Sequence, residues 1–87
     1  MSDPRLIKEV KPNYTREAMQ EKIEGDVELY AVVTASGCVA TARVTKSLGI
    51  LDRQAIVAIL EWRFKPARLA ERPVPTLITV DLTFRLR

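Results

Sequence analysis

The stretch from Ser47 to Ala67 constrains the fold most, because it combines a turn, an apolar helix, the only tryptophan and a proline. A helical repeat of about 100° per residue gathers its apolar side chains into one stripe, which needs a sheet to pack on. Pro66 predicts the end of the helix and an extended Lys65 before it. The stripe consists of Leu51, Ala55, Ala58, Ile59 and Trp62.

Three further residues of this helix carry expectations. Ile56 and Leu60 form a second apolar flank that is placed to meet a short first helix, and Val57 is left exposed. Trp62 is interpreted as a core residue, because a buried indole contributes a large apolar area and its N–H needs only one partner.

The segment before the helix predicts a hairpin. Residues Asp26–Thr34 alternate between apolar and polar positions, which is typical of a strand with one buried face. Ala35 to Gly37 forms the turn, in which glycine supplies a positive φ. The return strand Val39–Lys46 changes the parity of its apolar residues. Either its apolar pattern is weak or a β-bulge lies near Ala40 and Thr41, and we favour the bulge. The buried face of the first strand is Val27, Leu29, Ala31 and Val33.

The segment after the helix predicts one long strand, Thr76 to Leu86, preceded by a connection from Arg68 to Pro75. This strand is expected to be longer than its partners. Its inward residues are Ile78, Val80, Leu82, Phe84 and Leu86. Its outward residues are Leu77, Thr79, Asp81, Thr83 and Arg85.

The N-terminal part predicts less structure. Residues 1–9 are expected to be a mobile lead, and residues 10–87 to form a single domain. A short helix from Thr15 to Lys22 is predicted, with Thr15 as its N-cap and Gly25 closing it.

These segments predict an α+β domain. Three strands form an antiparallel-type sheet, and both helices cover one face of it. The hairpin, the crossing helix and the last strand make a split βαβ unit. The last strand lies at an edge of the sheet, so one side of its backbone is open unless another strand pairs with it.

The composition argues against a catalytic, cofactor or metal site and against nucleic-acid binding. The chain has no histidine and a single cysteine, Cys38, and it lacks metal-ligand spacing and a phosphate-binding loop. We therefore expect neither an enzyme, nor a cofactor, nor a metal. Nucleic-acid binding is also not expected, because the wet sheet faces lack stacking aromatics apart from Tyr30. No apolar run approaches the length of a membrane span, and the start of the chain lacks an apolar signal region.

Charge is distributed unevenly. Residues 1–60 hold eight basic and eight acidic side chains, so the net charge of +3 comes from the residues that follow. This basic segment is compatible with an acidic peptide, an anionic surface or nucleic acid, and equally with a solvated rim.

The edge strand leaves two interpretations open. A long terminal edge offers main-chain hydrogen bonds to an extended peptide. Alternatively, the edge is merely tolerated and is protected from other chains by Asp81 and Arg85.

The sequence resembles the C-terminal domain of TonB and of the TonB-like energy transducers over roughly residues 10–86. The set of spacings is specific, although no single element is. The matching positions are Pro12, Tyr14, Ala18, Ile23, Gly25, Val27 and Leu29; Thr34, Gly37 and Val39; Ser47, Gly49, Leu51, Asp52 and Ala55; Trp62, Arg63, Phe64, Pro66 and Ala67; and Pro73 and Val74.

The resemblance implies a periplasmic domain of a protein held by an N-terminal membrane anchor, which this sequence does not contain. Such domains capture a segment of an outer-membrane transporter as an added strand and couple it to an inner-membrane motor. The resemblance places Leu77, Thr79, Asp81, Thr83 and Arg85 beside the peptide. It also places Pro12, Asn13 and Tyr14 near the partner.

The sequence departs from the family pattern at Thr15, where the family often has proline, and in lacking the anchor and spacer. The alternative function is a structural or assembly module of the envelope that uses the same edge. It would dock to another envelope protein there, or form a homodimer through the last strand.

Overall fold

Ten short elements build the fold, and the computed structural model describes residues 2–86. The helices and strands, in chain order, are β1 (Arg5–Lys8), α1 (Arg16–Gln20), β2 (Gly25–Val33), β3 (Val39–Lys46), a 3-10 turn (Gly49–Leu51), α2 (Asp52–Leu60), β4 (Arg63–Lys65), β5 (Ala67–Leu69), β6 (Arg72–Val74) and β7 (Thr76–Phe84). No helix in this part of the chain is long and apolar enough to cross a membrane.

The main sheet has the predicted architecture. Its strand order is β3-β2-β7, with β2 antiparallel to both neighbours, and β7 lies at an edge. The expectation that β7 would be longer than its partner was wrong. It has nine residues, as β2 does, and each of them pairs with β2 from Thr76↔Val33 to Phe84↔Gly25.

The bulge in β3 is confirmed. Val32 pairs with Thr41 while its neighbour Val33 pairs with Val39, so Ala40 is the extra residue. The strand therefore changes face, and Val39 is buried at one end while Ala42 is packed against the core farther along. A second irregularity, not anticipated from the sequence, interrupts the β2–β3 pairing near Glu28.

The core lies between this sheet and α2. All five residues of the predicted stripe are buried, with Leu51, Ala55 and Ile59 fully so. Val57 is exposed, as expected. In the second flank, Ile56 packs against the core and Leu60 is 39% exposed, and the contact of this flank with the first helix stays a prediction. The buried face of β2 is confirmed at Val27, Leu29, Ala31 and Val33.

The first helix begins as predicted. The Thr15 hydroxyl accepts a hydrogen bond from the Ala18 N–H at 3.1 Å, and Ala18 is buried. The closure assigned to Gly25 was wrong, because the helix ends at Gln20 and Lys22 adopts the left-handed conformation at φ 54°. Gly25 instead opens β2.

The end of α2 also differs from the prediction. The helix ends at Leu60, before Pro66, and the residues after Trp62 form β4. The Phe64 N–H donates to the Gly37 carbonyl at 2.8 Å, so the hairpin turn holds this strand in extended geometry. The expected plain connection from Arg68 to Pro75 contains a second hairpin, β5–β6.

The N-terminal stretch contains a strand, and the mobility expected of residues 1–9 stays a prediction. β1 lies within residues 1–9 and pairs antiparallel with β4, and Ser2 forms a bridge to Arg68. The extended backbone was anticipated, but its strand partner was not. The domain boundary at residue 10 stays a prediction, and its other end, Arg87, lies outside the described residues.

Candidate binding groove

The open edge of β7 is the first feature of the site. β7 pairs with β2 on one side, and within residues 2–86 no strand pairs with its other side. An edge of this kind presents a row of backbone N–H and C=O groups that another strand can pair with. The outward side chains are exposed, and Leu77 is 63% exposed.

A groove of about 420 Å³ lies beside the C-terminal half of this edge. One wall is the segment from Glu9 to Tyr14, and the other is the end of β7 from Asp81 to Arg85. Trp62, which lies between α2 and β4, completes the lining. The groove therefore borders the part of β7 that is open to pairing.

Two aromatic side chains fix the first wall. The Trp62 indole donates its Nε1–H to the Val10 carbonyl at 2.8 Å, which ties the segment to the end of α2. The Tyr14 ring meets the Phe84 ring edge-on at 5.6 Å, and its hydroxyl donates to the Ile23 carbonyl. The groove is thus held between a sheet edge and a segment anchored at both ends.

Charges around the groove are balanced. Glu9 and Asp81 contribute carboxylates, and Lys11 and Arg85 contribute cations. Partial burial raises the pKa of Tyr14 above its ordinary value, and the negative charge of Glu24 adds to the rise. The Tyr14 hydroxyl therefore keeps its proton and remains a hydrogen-bond donor at neutral pH.

The structure brings together five of the eight site residues predicted from the sequence. Asp81, Thr83 and Arg85 share the groove with Pro12 and Tyr14. The other three lie apart from it: Leu77 and Thr79 lie farther along β7, and Asn13 borders a shallow depression beside α2.

Sequence reasoning missed Glu9, Lys11 and Trp62 as groove residues, and it assigned Leu82 and Phe84 only to the core. Glu9 and Lys11 flank Val10 in an extended segment, and this alternation was the available signal. The part of the chain that the structure describes contains no group of three potential metal ligands.

The fold and the groove define a small α+β domain with an open sheet edge. The chain belongs to the family described as Gram-negative bacterial TonB protein C-terminal, whose profile matches residues 10–86. This confirms the resemblance, and it also fits the fold class.

Individual relatives agree with the family. Protein TonB of Klebsiella aerogenes is 31% identical over an alignment of 87 positions, which covers 98% of this chain and 34% of that protein. Protein tonB2 of Pseudomonas aeruginosa is 35% identical over an alignment of 77 positions, which covers 86% of this chain and 28% of that protein. The chain thus spans about a third of the length of these relatives.

A solved structure shows the same fold. The solution NMR structure of the Pseudomonas aeruginosa TonB C-terminal domain superposes with a TM-score of 0.79 at 27% identity. The match covers 99% of this chain and 89% of that one.

Proposed function

We propose that this chain is the periplasmic peptide-capturing domain of a TonB-like energy transducer. It binds an extended segment of an outer-membrane transporter as a strand added to β7. The observation that carries the proposal is the open edge of β7 with a groove running beside it. Family membership supports the transducer assignment and the periplasmic location.

The geometry suits an extended ligand. Nine residues of β7 provide an edge of about 30 Å at the usual rise per residue. Main-chain hydrogen bonds along this edge supply affinity without requiring one particular sequence. At the groove, Lys11 and Arg85 face acidic side chains of the segment, and Glu9 and Asp81 face basic ones.

The direct test is a backbone scan of the peptide. Synthetic segments from transporter N-termini are N-methylated one residue at a time, and binding is measured by calorimetry. In an added strand, successive amides point alternately toward and away from β7. We expect methylation to weaken binding at every second residue and to be tolerated in between. A uniform effect of methylation would contradict strand addition.

A pair of variants at Asp81 tests the same bonds from the domain. Asp81→Pro removes a backbone N–H of the edge strand, whereas Asp81→Ala removes the same carboxylate and keeps the N–H. We expect Asp81→Pro to abolish capture and Asp81→Ala to reduce it only slightly. Circular dichroism establishes that both variants fold. If peptide binding and dimerisation both survive in Asp81→Pro, the strand-addition hypothesis is refuted.

Salt separates the two ways in which a peptide can be held. Backbone pairing is nearly insensitive to ionic strength, whereas attraction to the basic segment is screened. We therefore expect the dissociation constant to change little with added salt. A strong dependence would assign binding to the basic residues instead of to the edge.

Self-association through the same edge is the second candidate function. An antiparallel pairing of β7 with its copy, centred on Thr83, puts Asp81 of each chain opposite Arg85 of the other. Opposite charges in such cross-strand positions favour pairing. An envelope assembly module would then dimerise in sedimentation equilibrium with or without peptide. A capturing domain instead loses its dimer as peptide is added, because both partners need the same edge.

A further inference from the structure

The basic excess of the C-terminal segment gathers on a second, smaller β-ribbon that the proposed peptide capture does not use. Residues 2–8 pair along residues 63–68, and β6 extends this ribbon through its pairing with β5. These stretches, residues 2–8 and 63–74, contain six basic side chains and two acidic ones. We call these six basic side chains the basic ribbon, and all six are exposed. They are Arg5, Lys8, Arg63, Lys65, Arg68 and Arg72.

The pairing register concentrates this charge. Arg5 lies opposite Lys65, and Lys8 lies opposite Arg63, with a register shift between Leu6 and Lys8. The shift brings both pairs to the same face of the ribbon. Like charges placed directly opposite each other destabilise a sheet. The repulsion within these pairs is relieved when an anionic partner covers them.

A cleft marks where phosphate-sized anions fit. Arg5, Lys65 and Arg68 line a cavity of about 320 Å³ together with Asp3, Ser2 and Pro66. Three cations thus face one carboxylate. The cleft lies at the basic ribbon and shares no lining residue with the groove at the end of β7.

Exposed apolar side chains accompany the charges. Leu69 ends β5 beside the hairpin turn and is 54% exposed, and it pairs with Arg72 across the hairpin. On β1, Ile7 is 64% exposed, whereas Leu6 pairs with the buried Phe64 and lies on the face opposite Arg5 and Lys65. Aromatic residues that stack nucleic-acid bases are not exposed here, because Phe64 and Trp62 are buried. Apolar side chains flanked by arginine and lysine are typical of segments that bind an anionic lipid interface.

We propose that the basic ribbon docks on an anionic phospholipid surface. Arg5, Lys65 and Arg68 bind lipid phosphates in the cleft. Leu69 and its cross-strand partner Arg72 lie on the opposite face of β5–β6, so Leu69 reaches the headgroups from the tip of this hairpin. The charge complementarity accounts for the like-charged pairs, and the exposed leucine distinguishes a lipid surface from a soluble anion. This docking is independent of peptide capture at β7.

Vesicle co-sedimentation tests the proposal with the whole chain. Vesicles of phosphatidylcholine with phosphatidylglycerol are compared with vesicles of phosphatidylcholine alone. We expect binding only to the anionic vesicles, and a loss of binding as salt rises from about 0.1 M to about 1 M, where screening shortens from about 10 Å to about 3 Å. Equal binding to both kinds of vesicle would overturn the proposal.

Charge variants locate the surface. The double variant Arg68→Gln with Arg72→Gln is expected to weaken vesicle binding roughly 30-fold, since each cation near an anionic surface contributes about fivefold. The matched control removes two exposed arginines elsewhere, Arg43→Gln with Arg53→Gln. The control should keep most of the affinity, and an equal loss in both proteins would show only a net-charge effect and refute the site.

The apolar contribution separates a membrane from a dissolved anion. Leu69→Ser is expected to weaken vesicle binding about tenfold, and Leu60→Ser on α2 should leave it unchanged. Glycerol 3-phosphate and polyglutamate serve as soluble anions. If either binds as tightly as the vesicles and Leu69→Ser has no effect, the cleft is a soluble-anion site and docking on lipid is refuted. Leu69→Ser and Leu60→Ser should both capture peptide normally. A failure of lipid docking can therefore be told apart from a failure of the proposed peptide capture.

Discussion

Replacing Trp62 with phenylalanine removes the tie between the groove wall and the helix. The indole is 6% exposed, and its Nε1–H donates to the Val10 carbonyl at 2.8 Å. Losing that hydrogen bond costs about 1 kcal/mol. The smaller ring leaves part of the site unfilled, which costs about 1–2 kcal/mol more. We expect Trp62→Phe to lower the free energy of unfolding by about 2–3 kcal/mol.

The magnitude is large for a domain of this size. A chain of 87 residues is stable by about 4–13 kcal/mol, so the midpoint of thermal unfolding should fall by roughly 10–20 °C. Trp62→Ala, which removes the whole ring, should cost ~3–5 kcal/mol and leave little folded protein. Circular dichroism in urea is the suitable assay, because Trp62 is the only tryptophan and the variant has no indole fluorescence.

Two further measurements show whether the reasoning is right. Amide exchange in residues 9–14 should accelerate more than exchange in β2, because Val10 loses its anchor. Tyr30→Phe, on the half-buried opposite face of β2, is the control and should leave both quantities nearly unchanged. A Trp62→Phe variant within about 0.5 kcal/mol of the parent, or one whose β2 amides loosen as much as residues 9–14, would refute the assigned role.

Three other predictions concern the backbone and one phenol. Gly37→Ala should destabilise the domain by more than about 3 kcal/mol, because a Cβ there would lie 2.0 Å from a β4 carbonyl oxygen. In the control Gly49→Ala, the added Cβ meets open space, and only the positive φ should cost about 1 kcal/mol. Urea unfolding measures both free energies. Ala70→Asn with Glu71→Gly should raise the unfolding midpoint, because both residues of this turn have positive φ (50° and 66°), and an unchanged midpoint would contradict that strain. Because the pKa of Tyr14 is raised in the folded state, the unfolded chain releases the phenol proton at a lower pH than the folded chain does. The contribution of this phenol to the free energy of unfolding should be fully present below pH 10.0 and should be lost as the pH rises through the folded-state pKa. Tyr14→Phe should not show this loss in urea titrations.

Local patterns predicted the sheet well, for a physical reason. The alternation in β2 has a period of two over nine residues, and only one register buries Val27 through Val33. The bulge could be anticipated because an inserted residue moves the later side chains of β3 to the opposite face and so changes the parity of its apolar residues. Both signals are contained in a few consecutive residues.

The misplaced end of α2 shows where local patterns fail. Trp62 continues the apolar stripe of the helix and is buried as predicted, yet the backbone leaves the helix at Leu60. A hydrogen bond from the Phe64 N–H to the carbonyl of Gly37, which lies far away in the sequence, holds the following residues in β4 instead. The β5–β6 hairpin was missed for a related reason, since Ala70 and Glu71 are not the residues that usually form its turn.

The sequence identified residues of each wall of the groove, but not that the two walls face each other. Alternation in the last strand identified Asp81, Thr83 and Arg85 as outward residues, and the family resemblance identified Pro12 and Tyr14. That these two groups face each other depends on the bond from Trp62 to Val10, which joins residues 52 positions apart. No pattern within either segment contains that information.

The regular pairing of β7 also has a mechanical meaning. β7 joins β2 through nine consecutive residue pairs without a bulge, whereas the β2–β3 ladder is irregular at two places. Antiparallel hydrogen bonds lie perpendicular to the strands, so a tension parallel to β7 loads all nine pairs in shear at once. A tension across the sheet would open them one after another. The domain is therefore stiffest along the axis of β7, and a strand laid against that edge would be pulled in its strongest direction.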